Sequence, residues 1–146
     1  MLEANETDEA KSNRIVCAFD FGLKHIGLAV GQSFLKTAQP IAIIKAKEGK
    51  PNWDELGHLL TQWAPNLLLV GLPLNMDGSE SEMSTRARKF ANRLHGRYGL
   101  NVELFDERLS SFEAKSKRHE RVDSRRKSTT VDAEAAQLIL ESWFNR

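Results

Sequence analysis

The stretch Arg14-Ile15-Val16-Cys17-Ala18-Phe19-Asp20-Phe21-Gly22 constrains this chain more than any other. Five apolar residues run without interruption and end on an aspartate, followed by an aromatic residue and a glycine. A short continuous apolar run with β-branched members reads as a strand covered on both faces. The fold must therefore supply a sheet with a layer on either side. A carboxylate at the end of such a strand is costly unless something pairs with it. Cys17 lies inside the run and is the sole cysteine, so it reads as a small buried hydrophobe rather than a nucleophile.

The 146 residues suffice for one domain, and a hydrophobic share of 40% suffices for a real core. The net charge of +1 says nothing about partners, but its distribution does. The first ten residues carry Glu3, Glu6, Asp8 and Glu9 and no base. Residues 1–13 are polar and aperiodic and read as a disordered N-terminal tail, with the folded domain spanning 14–146. The N-terminus lacks the basic start and apolar core of a secretory signal. No apolar run approaches the ~18 residues of a membrane span. The expected setting is cytoplasmic, with no membrane partner.

Along the chain, Ile26 to Gly31 reads as a second strand and Ala38 to Ile44 as a third, with Pro40 early in it. These three strands form an expected antiparallel meander. Glu48 to Pro51 reads as a loop. Trp53, Leu56, Leu59, Leu60 and Trp63 fall at helical spacing, which predicts a helix from about Asn52 to Ala64, stopped by Pro65-Asn66. Leu67 to Gly71 is another fully apolar strand. Ser79-Glu80-Ser81-Glu82 has the spacing of a capping box with Ser79 at the cap, and the helix it opens ends at Gly99. Val102 to Phe105 is the fifth strand and leads into Asp106-Glu107. Ser110 to Glu113 repeats the capping-box spacing and predicts a short helix. The last helix runs from about Val131 to Phe144. The fold class is α/β: one domain with a mixed five-stranded sheet and helices on both faces.

Three acids fall where such a fold builds sites. Asp20 ends strand one and Glu107 follows strand five, and in open α/β sheets sites form beyond the carboxyl ends of strands. Asp132 begins a helical face that continues through Ala135, Ala136, Ile139 and Trp143, so it lies on the side that packs on the sheet. Each acid has a plainer reading: a turn-capping aspartate for Asp20, a solvated acid for Glu107, and for Asp132 a first-turn acid behind a Thr129 cap. Asp106 competes with Glu107. If the acids converge, they suit hard cations, Mg²⁺ or Mn²⁺. Two such ions about 4 Å apart suit phosphodiester chemistry.

Four stretches carry a family resemblance. They are Ala18-Phe19-Asp20-Phe21-Gly22 with Ile26-Gly27-Leu28-Ala29-Val30; Val70 through Ser79; Asp106-Glu107-Arg108-Leu109-Ser110; and Val131 through Leu140. In this order they resemble the motifs of the YqgF (RuvX) family of pre-16S rRNA nucleases and Holliday junction resolvase-like proteins. The resemblance covers roughly residues 14–145. It implies an RNase H-like fold in which Asp20, Glu107 and Asp132 bind two metal ions and catalyse phosphodiester hydrolysis. The chain departs from the family pattern at His25, where an arginine is usual, and in the Asp132-Ala133-Glu134 context.

Residues 115–128 hold Lys115, Lys117, Arg118, Arg121, Arg125, Arg126 and Lys127 against only Glu120 and Asp123. Beside the Asp132 helix they read as a grip on a phosphate backbone, or as a solvated loop. Arg86, Arg88, Lys89, Arg93 and Arg97 read instead as the solvated face of a helix. Arg108 reads equally as a phosphate contact or as a carboxylate's partner. Asn75 and Ser79 read as substrate contacts or as parts of a tight strand-to-helix connection. The expected partner is nucleic acid: structured RNA within a ribosomal pre-30S particle, or branched DNA. The expected assembly is a monomer or weak homodimer. The first function is 5′-end maturation of pre-16S rRNA. The alternatives are Holliday junction resolution and a non-catalytic RNA-binding role in ribosome assembly. An ATP-binding domain of the actin and sugar-kinase type is disfavoured, because the chain has no second Asp-x-Gly strand-turn.

Overall fold

The computed structural model of the protein describes residues 13–110 and 128–146. The expected tail, apart from Asn13, lies outside the described residues. So do Arg125, Arg126, Lys127 and all but the first residue of the expected Ser110–Glu113 helix.

The sheet is built around the opening stretch. Strands β1 (Ile15–Asp20), β2 (His25–Gln32) and β3 (Thr37–Lys47) form the expected antiparallel meander. A two-residue strand, β4 (Lys50–Pro51), pairs with the end of β3. Strands β5 (Leu67–Leu72) and β6 (Asn101–Asp106) continue the sheet from the other side of β1, parallel to it. The order is β4-β3-β2-β1-β5-β6, so β1 lies where the antiparallel half meets the parallel half.

The sheet thus has six strands rather than five. The additional one, β4, lies in the stretch that reads as a loop. Lys47 pairs with Lys50 across a two-residue turn in which Glu48 and Gly49 have φ of 53° and 81°. Tight hairpins need that left-handed pair, and glutamate is not the residue that announces it. Strand β3 also runs past its predicted ends. Leu28 pairs with Ala42 but Ala29 with Pro40, which leaves Ile41 as an inserted residue. Such a bulge accommodates a proline that has no N–H for the ladder.

Helix α1 (Trp53–Trp63) has the predicted ends. The Asn52 side chain accepts from the amides of Asp54 and Glu55, and Ala64 closes the helix with φ 48°. Helix α2 (Glu82–Tyr98) is capped by Ser81, not by Ser79. Ser84 N–H donates to Ser81 Oγ at 2.9 Å, and Ser81 N–H donates to Ser84 Oγ at 2.7 Å. The Ser81 hydroxyl also donates to the Pro73 carbonyl at 2.6 Å. Ser79 is engaged with Asp77 in the preceding turn. Helix α3 (Ser128–Phe144) starts before Val131, so Thr129 lies within the helix. No acid occupies its first turn, which removes the first-turn reading of Asp132.

Strand alternation divides the core in two. Cys17, Phe19, Ile26, Leu28, Leu68 and Val70 face α1 and α2, meeting Leu56, Leu60, Phe90 and Leu94. Val16, Ala18, Leu67, Leu69 and Phe105 face α3, meeting Ile139, Leu140 and Phe144. Cys17 is fully buried as expected, and burial pushes its thiol up to about 12. Among the described residues no helix is long and apolar enough to cross a membrane.

Candidate active site

Strand periodicity puts Asp20 on the α3 face, two residues beyond Ala18 and four beyond Val16. Two glycines flank it on that face. Gly27 pairs directly with Asp20 across the β1–β2 ladder. Gly71 follows Val70, the β5 partner of Phe19. Both glycines are sites of close approach. A Cβ at Gly27 would overlap the backbone carbonyl of Asp132 and stand 2.9 Å from Ala133 N. A Cβ at Gly71 would stand 2.5 Å from Glu107 Oε1 and 2.6 Å from Ile139 Cδ1. The first glycine thus seats the start of α3 against the sheet beside Asp20. The second leaves room for the Glu107 carboxyl to lie back over β5.

Asp20, Glu107 and Asp132 therefore come to one end of the sheet on one face, and each is partly buried. The sequence pointed to the acids but missed the two glycines that let the start of α3 and the Glu107 carboxyl approach the sheet there. A glycine interrupting an otherwise apolar strand was the available signal. Three carboxylates at the end of a covered sheet have the chemistry of a hard-cation site. Among the described residues no three His, Cys, Asp or Glu side chains are arranged to enclose one metal ion.

Asp106 and Glu107 have different employment. Asp106 caps the 3-10 turn Glu107–Leu109, accepting from Arg108 N at 2.9 Å. Its carboxylate also takes the Arg108 guanidinium, with Nη2 at 2.7 Å and Nε at 3.0 Å from Oδ2. Those hydrogen bonds from Arg108 hold the Asp106 carboxyl below the usual carboxylate range. Glu107, by contrast, turns toward Gly71.

Arg108 pairs with a carboxylate, that of Asp106. Its Nη1 also donates to the Met76 carbonyl at 3.2 Å, which ties the β5–α2 loop to the turn that carries Glu107. Asn75 and Ser79 likewise build that loop. Asn75 Nδ2 donates to Ser79 Oγ at 3.0 Å and to the Glu80 carbonyl at 3.1 Å. Ser79 Oγ donates to Asp77 Oδ1 at 2.6 Å, which lowers the Asp77 carboxyl. The loop presents Met76, 97% exposed, at its tip.

Of the α2 cations, Arg88, Lys89, Arg93 and Arg97 are exposed, as a solvated face requires, and Arg86 is half-buried. Arg86 pairs with Glu82 at 3.3 Å, Arg88 with Glu80 at 2.6 Å, and Arg97 lies 4.4 Å over the Trp53 ring.

A mixed sheet whose antiparallel and parallel halves meet at β1, with helices on both faces, is of the RNase H-like class of folds. Fowlpox virus resolvase, solved with Holliday junction DNA, superposes with a TM-score of 0.53 at 17% identity, covering 90% of this chain and 97% of that one. Thermus thermophilus RuvC superposes with a TM-score of 0.51 at 16% identity, covering 89% and 93%. The sequence pattern described as "RuvX: Holliday junction resolvase" matches residues 14–146, and the chain belongs to that family. A relative from Photobacterium profundum, named "Putative pre-16S rRNA nuclease", is 53% identical over 92% of this chain and 96% of its own length. One of the same name from Mannheimia succiniciproducens is 55% identical over 88% and 93%.

Proposed function

We propose that this chain is a metal-dependent nuclease that matures the 5′ end of the precursor of small-subunit ribosomal RNA in the cytoplasm. The observation that supports the reading is that Asp20, the Asp132 backbone at Gly27 and the Glu107 carboxyl at Gly71 lie at one end of the sheet. The names of relatives more than half identical to it supply the substrate.

Asp20, Glu107 and Asp132 would hold Mg²⁺ or Mn²⁺. Two such ions, when bound, supply a water nucleophile and neutralise the leaving oxygen of a phosphodiester. The chain's own contribution is placement. Carboxylates gathered at a partly buried strand end repel one another, so a cation is bound there more strongly than by a solvated acid. In the overall reaction water adds to phosphorus, the bond from phosphorus to O3′ breaks, and the O3′ atom leaves with a proton. The products carry a 3′-hydroxyl and a 5′-phosphate. Arg125, Arg126 and Lys127 belong to this proposal as a grip on the substrate backbone. Arg108 and Asn75 serve it indirectly, by fixing the loop and the turn beside Glu107.

The second reading, Holliday junction resolution, rests on the family description. The deciding experiment presents precursor ribosomal RNA and a four-way DNA junction side by side, with Mg²⁺ or Mn²⁺. Cleavage of the RNA, abolished in a folded Asp20→Asn protein, is the expected result. Cleavage of the junction alone would select the second reading. Full activity of Asp20→Asn on either substrate would remove the metal site proposed here, and absence of cleavage on both would leave a binding module.

A further inference from the structure

The face of the sheet that carries Asp20 continues past the start of α3 onto the outer strands. There it bears two lysines that the motifs do not include, outward of His25. His25 pairs with Lys45 in the β2–β3 ladder, two positions beyond Gly27 and Ile43. Paired residues share a face, and so do residues two apart on one strand. His25 and Lys45 therefore share the face of Gly27 and Asp20. Lys47 is the next residue on that face; its ladder partner Lys50 lines the cavity on the α2 side. The opposite face of the same strands carries Ile44 and Ala46, packed toward α1 and α2.

His25, Lys45 and Lys47 lie at the same end of the sheet as the carboxyl end of β1. Standard strand spacings put the Lys45 backbone roughly 12 Å from that of Asp20, and Lys47 a further ~7 Å out. Lys45 and Lys47 are exposed, and neither is in an ion pair among the described residues. The nearby acid Glu48 lines the cavity on the other side with Lys50, against Arg86, Lys89 and Phe90 of α2. The site face is thus left with a line of positive charge leading outward from the acids.

We propose that Lys45 and Lys47, with His25 at the inner end, form a track for the phosphate backbone of the nucleic-acid strand that leaves the Asp20 end of the sheet. This deepens the nuclease reading and rests on it. A row of lysines a strand step apart suits successive phosphates, because each contact releases a counterion whatever the base. The track would complement the carboxylates: acids hold the cations at the cut, and lysines hold the chain beside it. Lysine near a sheet edge has another use, which is to prevent edge-to-edge pairing. That use predicts self-association on removing the charge and no change in nucleic-acid binding.

The test measures binding of the full chain to an RNA duplex bearing a single-stranded 5′ extension, in chelator so that nothing is cut, across a range of salt. One variant combines Lys45→Gln and Lys47→Gln. A control removes equal charge elsewhere with Lys89→Gln and Arg93→Gln. Size-exclusion chromatography and a thermal melt accompany both. The expected result is that the slope of log affinity against log salt becomes shallower by about two in the track variant. The control should keep the original slope. An unchanged slope in the track variant, an equal change in both variants, or self-association with binding intact would each overturn the track while leaving the nuclease reading in place. No binding by the unaltered protein would overturn both.

Discussion

The two faces of the sheet are built to different ends. The face toward α1 and α2 is filled with large side chains: Phe19, Ile26, Leu28, Leu68 and Val70 meet Leu56, Leu60, Phe90 and Leu94. Phe90 alone has Phe19 edge-on at 5.6 Å and Trp53 stacked at 6.0 Å. The face toward α3 is thin. It offers Val16, Ala18, Gly27 and Gly31 on β1 and β2, and α3 comes down until its backbone touches the sheet at Gly27. One face stabilises by area and the other gives up area for proximity. Asp20, Glu107 and the start of α3 with Asp132 lie on the second, where the glycines let backbones approach.

That contrast can be broken from either side. The largest loss of stability should follow Phe90→Ala, which empties the thick layer and costs about 3–5 kcal/mol. Denaturant unfolding would measure it, and at low temperature the folded remainder should retain its cleavage activity per molecule. Gly27→Ala attacks the thin layer. Overpacking of this kind costs about 1–3 kcal/mol, but here the obstacle is the Asp132 backbone, so activity should fall far more than stability does. A cleavage assay beside the unfolding curve separates the two. If Phe90→Ala and Gly27→Ala lost stability and activity in the same proportion, the division of labour between the faces would fail.

Smaller effects sharpen the picture at its margins. Ser81→Ala should cost about 1 kcal/mol, as removal of an N-cap does, and Ser79→Ala should cost less, since Ser79 caps no helix. The Asp106–Arg108 pair gives the smallest and most specific signal. The folded-state carboxyl is lowered by Arg108, so its contribution is present above the unfolded value of roughly 3.9 and fades as pH falls through the folded one. Asp106→Asn should therefore flatten the acid limb of stability against pH and leave the neutral range nearly level. An acid limb unchanged by that substitution would show that the pair contributes nothing measurable.

Much of this was legible in the sequence, for reasons that are local. The β1 run, the Asn52 cap, the stop at Ala64–Pro65 and the Gly99 terminus each depend on residues within a few positions. What escaped depended on the fold. Ser81 displaced Ser79 as the cap because its hydroxyl also reaches the Pro73 carbonyl, a contact that spacing does not reveal. Strand β4 exists because Glu48 accepts a left-handed backbone. In the site, the residue types and strand ends were readable, and so were the three acids as candidates. The different placing of Asp106 and Glu107 was not. A 3-10 turn holds one carboxylate in its own cap and lays the other over Gly71. The basic residues Arg125, Arg126 and Lys127 remain a reading of the sequence, outside the described residues.

The burial of Cys17 carries a practical consequence. Its thiol sits at 0% exposure in the strand that joins the two halves of the sheet, and its ionisation is pushed up to about 12. Only a thiolate reacts readily with alkylating or disulfide reagents, so in the closed fold this sulfur is chemically silent. Any labelling must wait for β1 to come away from its neighbours. The rate of modification is then a clock for the opening of the central strand, set by a single atom and readable by mass without altering the sequence.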